Sequence, residues 1–211
     1  QGLVKIRDSF FDNLTPATRK ETDKYFTPAG KGDSMFVYAN MSGFFELKNG
    51  AFSRKSFRFG ANILDKLSPD ALVDAIAIDE QNNFWTVTRD RKIVKISPDG
   101  KQQFINPTPP GEKEDQFLNV CRDNISGILY FSGTRLYVRK GETLELFKAK
   151  QTGLPIENAT RASVLSNGNV LVNSSTDGLW LVEKTGEAYR VAAAIPVGKR
   201  VMFAEDKTGN I

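Results

Sequence analysis

The 211-residue chain contains no histidine and only one cysteine, Cys121. Without histidine there is no Ser-His-Asp triad, no imidazole acid-base chemistry and no histidine metal ligand. A lone cysteine cannot form an internal disulfide, and the two shortages together exclude a structural zinc site. An enzyme built from these residues would have to work with carboxylates, lysine, tyrosine or backbone groups. Cys121 ends the apolar run that starts at Phe117, which predicts a buried, inert thiol. No apolar stretch approaches the ~18 residues needed to span a bilayer, so no membrane segment is expected in this chain. The net charge is only +4 with both signs interspersed, which gives no nucleic-acid footprint. Sustained helical periodicity is missing as well; residues 15–21 could hold one helical turn. Apolar residues make up 40%, enough to bury the core of one large all-β domain or two small ones.

What the chain does have is a ruler of turn residues. Glycine and asparagine tolerate the positive φ of tight hairpins. Gly50, Gly100, Gly141 and Gly186 lie 50, 41 and 45 residues apart. A second set (Gly32, Asn82 with Asn83, Gly127, Gly168 and Gly209) repeats at a similar interval. Between the turns lie short runs rich in β-branched and aromatic residues, such as Phe84 to Val87, Ile128 to Phe131 and Leu179 to Val182. Each period holds four such runs, A to D. In the module around Trp85, A is 75–79, B is 84–87, C is 93–97 and D is 102–105.

Four antiparallel strands repeated at this period predict an all-β fold, a β-propeller of four-stranded blades. A β-sandwich has no need of a fixed four-strand period. Blades are expected at about 24–66, 67–108, 109–152 and 153–193, with part-blades at 1–23 and 194–211. The start matches strand C and the end matches strand A. The expectation is therefore an arc of about four to five blades from a longer propeller.

Ile76 to Asp79, then Asn82, Asn83, Phe84 and Trp85, then Thr88, trace an apolar strand, an Asp turn and an aromatic strand. Phe203 to Asp206 with Gly209 and Asn210, and Asp123 to Gly127, repeat parts of it. Gly-Leu steps stand at Gly2 and at Gly178, and Gly153, Leu154 and Pro155 precede a strand A. This outline resembles the two-component regulator propeller repeat. Lys92 with Ile93, and Arg135 with Leu136, depart from its Gly-Leu step. The resemblance implies the periplasmic or extracellular sensor region of a bacterial hybrid regulator, often one concerned with carbohydrate use. In such a parent, neighbouring propeller or sandwich domains would be partners, and a kinase would lie elsewhere.

Asp79 and Asp206 are expected to cap their own turns. Trp85 and Trp180 are expected to pack between blades, with sugar stacking as the alternative. The B–C loops and D-to-A loops share one face of a propeller, and loops carry function. That face would gather Arg89, Arg91 and Arg135 with Asn40, Asn158 and Asp177. Arginine forks suit carboxylate or sulfate, and Asn and Asp suit hydroxyls, so an acidic oligosaccharide would fit. No catalytic residue, metal or cofactor is expected. A glycosidase would need two facing carboxylates; Glu114, Asp115 and Glu157 are candidates, and nothing in the sequence pairs them. The expected function is a non-catalytic sensor of a small-molecule or oligosaccharide ligand, with a homodimer allowed. The alternatives are a propeller-scaffold enzyme acting on polysaccharide or lactone, and a protein-interaction propeller.

Overall fold

The structure is a computed structural model, and it describes residues 26–31, 34–39, 43–48, 51–54, 73–123, 125–148, 156–176, 178–185, 188–195 and 205. The chain divides into two compact units, Gln1–Arg58 and Phe59–Ile211. In the first, β1 (Phe26–Lys31), β2 (Ser34–Ala39), β3 (Gly43–Lys48) and β4 (Ala51–Arg54) form one antiparallel sheet in chain order.

The second unit holds three sheets of the same plan. The first contains β5 (Val73–Ile78), β6 (Phe84–Thr88), β7 (Ile93–Ile96) and β8 (Gln102–Ile105). The second contains β9 (Phe117–Arg122), β10 (Leu129–Gly133), β11 (Tyr137–Lys140) and β12 (Thr143–Leu146). The third contains β13 (Ala159–Val164), β14 (Val170–Ser174), β15 (Gly178–Thr185) and β16 (Ala188–Ile195). Strand β9 lies between β5 and β13, so the first strands of the three sheets run side by side. β8 and β12 form outer edges, and every residue of both is exposed or partly exposed. These are β-propeller blades, and among the described residues there is no helix. The part-blades expected at 1–23 and 194–211 lie almost wholly outside the described residues.

The turn ruler has a backbone cause. Asn82, Gly127 and Gly168, each two residues before the second strand of its blade, have φ of 66°, 75° and 83°. Gly100 and Gly141 take the matching place before β8 and β12, with φ of 85° and 58°.

Strand alternation then divides the middle blade of this unit between two cores. Trp85, Val87 and Ile93 of the first blade pack with Leu129, Phe131 and Tyr137 of the second. The next residue along, Tyr130, turns the other way with Val138 and packs with Ala162, Val170, Val172 and Val182 of the third. Each fully buried large side chain contributes about 1.5–3 kcal/mol to this packing. Trp85 and Phe131 meet edge to face, centroids 5.6 Å apart. Trp85 is fully buried, so it serves the inter-blade role and not sugar stacking. Trp180 lies partly buried against the second core. Cys121 is partly buried against the same core, less enclosed than the sequence predicted, and burial there pushes its thiol up to about 12.

The first two blades are also latched by a buried charge. Asp79 caps its turn as expected: its Oδ1 accepts the Asn83 backbone N–H at 2.8 Å. Its Oδ2 accepts from Asn83 Nδ2 at 2.9 Å and from Trp85 Nε1 at 2.8 Å. Arg139 of β11 crosses from the second blade to within 3.4 Å of the same oxygen. It also reaches Glu80 at 3.2 Å and stacks over the Trp85 ring at 5.2 Å. Burial pushes the Asp79 carboxyl up, but the Trp85 and Asn83 hydrogen bonds and the Arg139 charge outweigh it and hold the group below 3.8. Asp206 lies outside the described residues.

Candidate ligand-binding face

In the second unit, up-and-down strand order sends the B–C and D-to-A loops to one end. Main-chain hydrogen bonds join these loops in series. The Phe117 N–H donates to Arg91 O at 3.0 Å, and the Thr134 N–H donates to Gln116 O at 2.8 Å. The Asn158 N–H donates to Thr134 O at 2.7 Å, and the Ser175 N–H donates to Asn158 O at 3.0 Å. Among the described residues, the D-to-A junctions at Gln116 with Phe117 and at Asn158 are thus each sewn between two B–C loops. Asn158 and Arg91 hold positive φ, 51° and 66°, which turns their carbonyls into the seam.

One buried cluster anchors this end. Asp115 Oδ2 accepts from Arg135 Nε at 2.9 Å, pairs with Arg135 Nη2 at 2.8 Å, and accepts from the Tyr137 hydroxyl. Arg135 Nη1 meets Glu112 at 2.7 Å, and the guanidinium lies 5.9 Å from the Tyr137 ring centre. The Asp115 N–H donates to Thr108 Oγ1 at 2.9 Å, which folds the proline-rich loop back on itself. The Asp115 hydrogen bond, backed by Glu112 and opposed by burial, raises Arg135 further above its ordinary value. Burial, then Asp115, pushes the Tyr137 phenol up. Both groups keep their protons, and the cluster pins the D-to-A loop to β11.

Of the residues expected at the face, Arg89 is exposed, Arg91 half-buried and Asn158 exposed. They and Arg135 lie on loops of this same end. An anion reaching Arg135 would have to compete with Asp115 and Glu112. Asn40 and Asp177 lie outside the described residues. The structure also finds partners for carboxylates that the sequence left alone: Asp115 as above, and Glu114, which meets Lys92 at 2.5 Å. Sequence reading missed the Asp115, Arg135 and Tyr137 cluster because Asp115 lies 20 and 22 residues before its two partners, on a different loop. The available signal was positional: Asp115 closes a D-to-A loop, and Arg135 and Tyr137 open strand C of the same blade.

The fold places the chain in the β-propeller class. The sequence matches no protein-family model and no curated protein. Among solved structures it resembles a gluconolactonase from Xanthomonas campestris, XC5397, at TM-score 0.55 and 12% identity, covering 87% of this chain and 67% of that one. It resembles the β-propeller domain of Cps50 (Swd1) from Myceliophteria thermophila at TM-score 0.51 and 9% identity, covering 81% and 58%. It also resembles the extracellular domain of a hybrid two-component system protein, BT4673, from B. thetaiotaomicron. That likeness has TM-score 0.49 and 15% identity over 84% of this chain, which spans 23% of the BT4673 domain. At identities this low, the likenesses at TM-scores 0.55 and 0.51 show a shared β-propeller fold and nothing finer. Among the described residues, no helix is long and apolar enough to cross a membrane.

Proposed function

We propose that this propeller region is a non-catalytic sensor module that binds an acidic oligosaccharide at its sewn loop face. The observation that carries the reading is that face itself. Successive loops are held in register by main-chain bonds, and they place Arg89, Arg91 and Asn158 at one end of adjoining blades. A surface of this kind is preorganised, so little loop entropy is lost on binding. The repeat outline around Asp79 and Trp85 supports an extracytoplasmic place in a two-component regulator. In that setting, neighbouring propeller or sandwich domains adjoin this region and the kinase lies elsewhere in the parent.

A thermal-shift screen against defined uronate-containing oligosaccharides of four to six rings tests the proposal. Ligand at a hundredfold excess over its dissociation constant stabilises by about 2.7 kcal/mol. For a domain of this size that raises Tm by roughly 5–10 °C. The expected result is a shift that is lost in Arg91→Ala, with the ligand recovered intact. A ligand that is consumed would instead support a propeller-scaffold enzyme acting on polysaccharide or lactone. No shift across the panel would favour a protein-interaction propeller.

A further inference from the structure

The opposite end of the blades, where the A–B and C–D turns lie, carries a cleft that the loop face does not involve. Its volume is about 310 Å³, within the range of small-ligand sites. It is lined by Asn83, Lys95, Ser97, Lys101, Gln102 and Gln103. All six side chains are polar, two are cationic and none is acidic.

Two of them are held in place from below. Asn83 is fixed by Asp79, as described above. Lys95 lies over the Trp85 ring, its Nζ 5.4 Å from the ring centre, and its side chain is only 14% exposed. Its ion-pair partner is Glu142, which reaches over from the turn of the next blade and is itself 70% exposed. A cation already stripped of most of its water interacts more strongly with an anion than a solvated one does. Its present counter-ion is a side chain on a turn that also lies 3.9 Å from Arg139 and is otherwise open to solvent; Arg139 keeps Asp79 and Glu80 when Glu142 leaves. An incoming carboxylate can therefore replace Glu142 without leaving Lys95 uncompensated. Lys101, at the solvent edge, pairs with Asp99 at 3.0 Å and supplies a second positive charge. Gln102 and Gln103 provide amide groups of the kind that bind sugar hydroxyls, and Ser97, whose hydroxyl donates to Asp99 Oδ1 at 2.6 Å, can still accept.

We infer that this cleft binds a hydroxylated carboxylate of one or two sugar rings, with Lys95 as its anion anchor and Glu142 as the counter-ion it displaces. The site lies outside the loop face and goes beyond the function proposed for it.

Trp85 beneath Lys95 supplies the readout. Trp180 buries its indole Nε1 with no hydrogen-bond partner among the described residues, so Trp180→Phe loses no such bond and leaves Trp85 as the sole tryptophan. In that background the 211-residue chain is titrated with digalacturonate while Trp85 emission is followed. The expected result is a saturable change. Lys95→Met keeps the stem over Trp85 and removes the charge; it should weaken binding about tenfold, as expected for one charge-assisted hydrogen bond. Glu142→Gln removes the competitor and should tighten binding by about threefold, the weak pairing of an exposed carboxylate. Lys101→Met, at an exposed position, should weaken binding by about twofold to threefold. Arg91→Ala should leave the titration unchanged, which separates this site from the loop face. An absent response, equal affinity in Lys95→Met, or weaker binding in Glu142→Gln would each overturn the assignment. Glu142 is exposed, and Glu142→Gln leaves Arg139 its pairs with Asp79 and Glu80, so its sign decides the matter even if Lys95→Met folds poorly.

Discussion

Asp79→Ala should destabilise the Phe59–Ile211 unit by about 3–5 kcal/mol, the cost of removing one member of a buried ion pair. The substitution strips the indole N–H of Trp85 of its acceptor, takes two bonds from Asn83, and leaves Arg139 with its side chain 4% exposed and its central counter-ion gone. Arg139→Met should cost less. Asp79 would still accept from Trp85 and Asn83, and the methionine would fill much of the space over the indole. Urea unfolding followed by tryptophan emission measures both. The order of the two losses is the test, because equal costs would mean that the charge pair dominates over the hydrogen-bonded turn. The same carboxylate sets an acid limb. Its folded pKa lies below the unfolded value of 3.8, so its stabilisation is fully present above that pH and is lost as pH falls through the folded value. Asp79→Asn should flatten this part of the stability profile below about pH 4.

Gly133→Ala is the second large effect. A Cβ at this position would stand 1.9 Å from the Gln116 carbonyl oxygen and 2.8 Å from both Gln116 C and Phe117 Cα. All three are backbone atoms, so no side chain can swing aside. The site lies where the β9–β10 register shifts, opposite Phe117. Relief requires the two strands to part where Thr134 bonds Gln116. The expected loss is about 3 kcal/mol, the upper range for overpacking. That lowers Tm by roughly 6–12 °C, and binding at the loop face should weaken with it. Gly141→Ala is the control. Its φ of 58° makes alanine unfavourable by about 1 kcal/mol, but nothing lies within 4 Å of the new methyl. Similar losses at the two positions would show that the Gly133 contact relaxes more easily than its geometry allows.

The strands were legible in the sequence because their causes are local. Asn82, Gly127 and Gly168 need positive φ, and that need fixes where the second strand of each blade starts. Alternation within Leu129, Tyr130 and Phe131 decides which core each ring enters. Asp79 was legible as a turn cap, since its main partner stands four residues away. Its pairing with Arg139 was not, because that contact depends on how one blade leans on the next. The loop end was legible as a place, through Arg89, Arg91, Arg135 and Asn158, but its seam was not. Backbone N–H and C=O groups are present at nearly every residue and leave no mark on residue choice. The cleft above Trp85 was hidden for a similar reason: Lys95 and Lys101 read as ordinary strand and turn lysines until the neighbouring blade supplies Glu142.

The sewn loops have a consequence for descent. Because the stitches run from peptide to peptide, with the Asp115, Arg135 and Tyr137 cluster behind them, the exposed side chains of the loops carry less of the duty of keeping the surface in shape. An exposed position such as Arg89 can be exchanged while the peptide seam stays in place, whereas Asn158 must keep the positive φ on which two stitches depend. Blades of this kind can diverge in what they recognise far faster than in how they are built. Two descendants could keep the same outline while sharing few of the residues that meet the outside world.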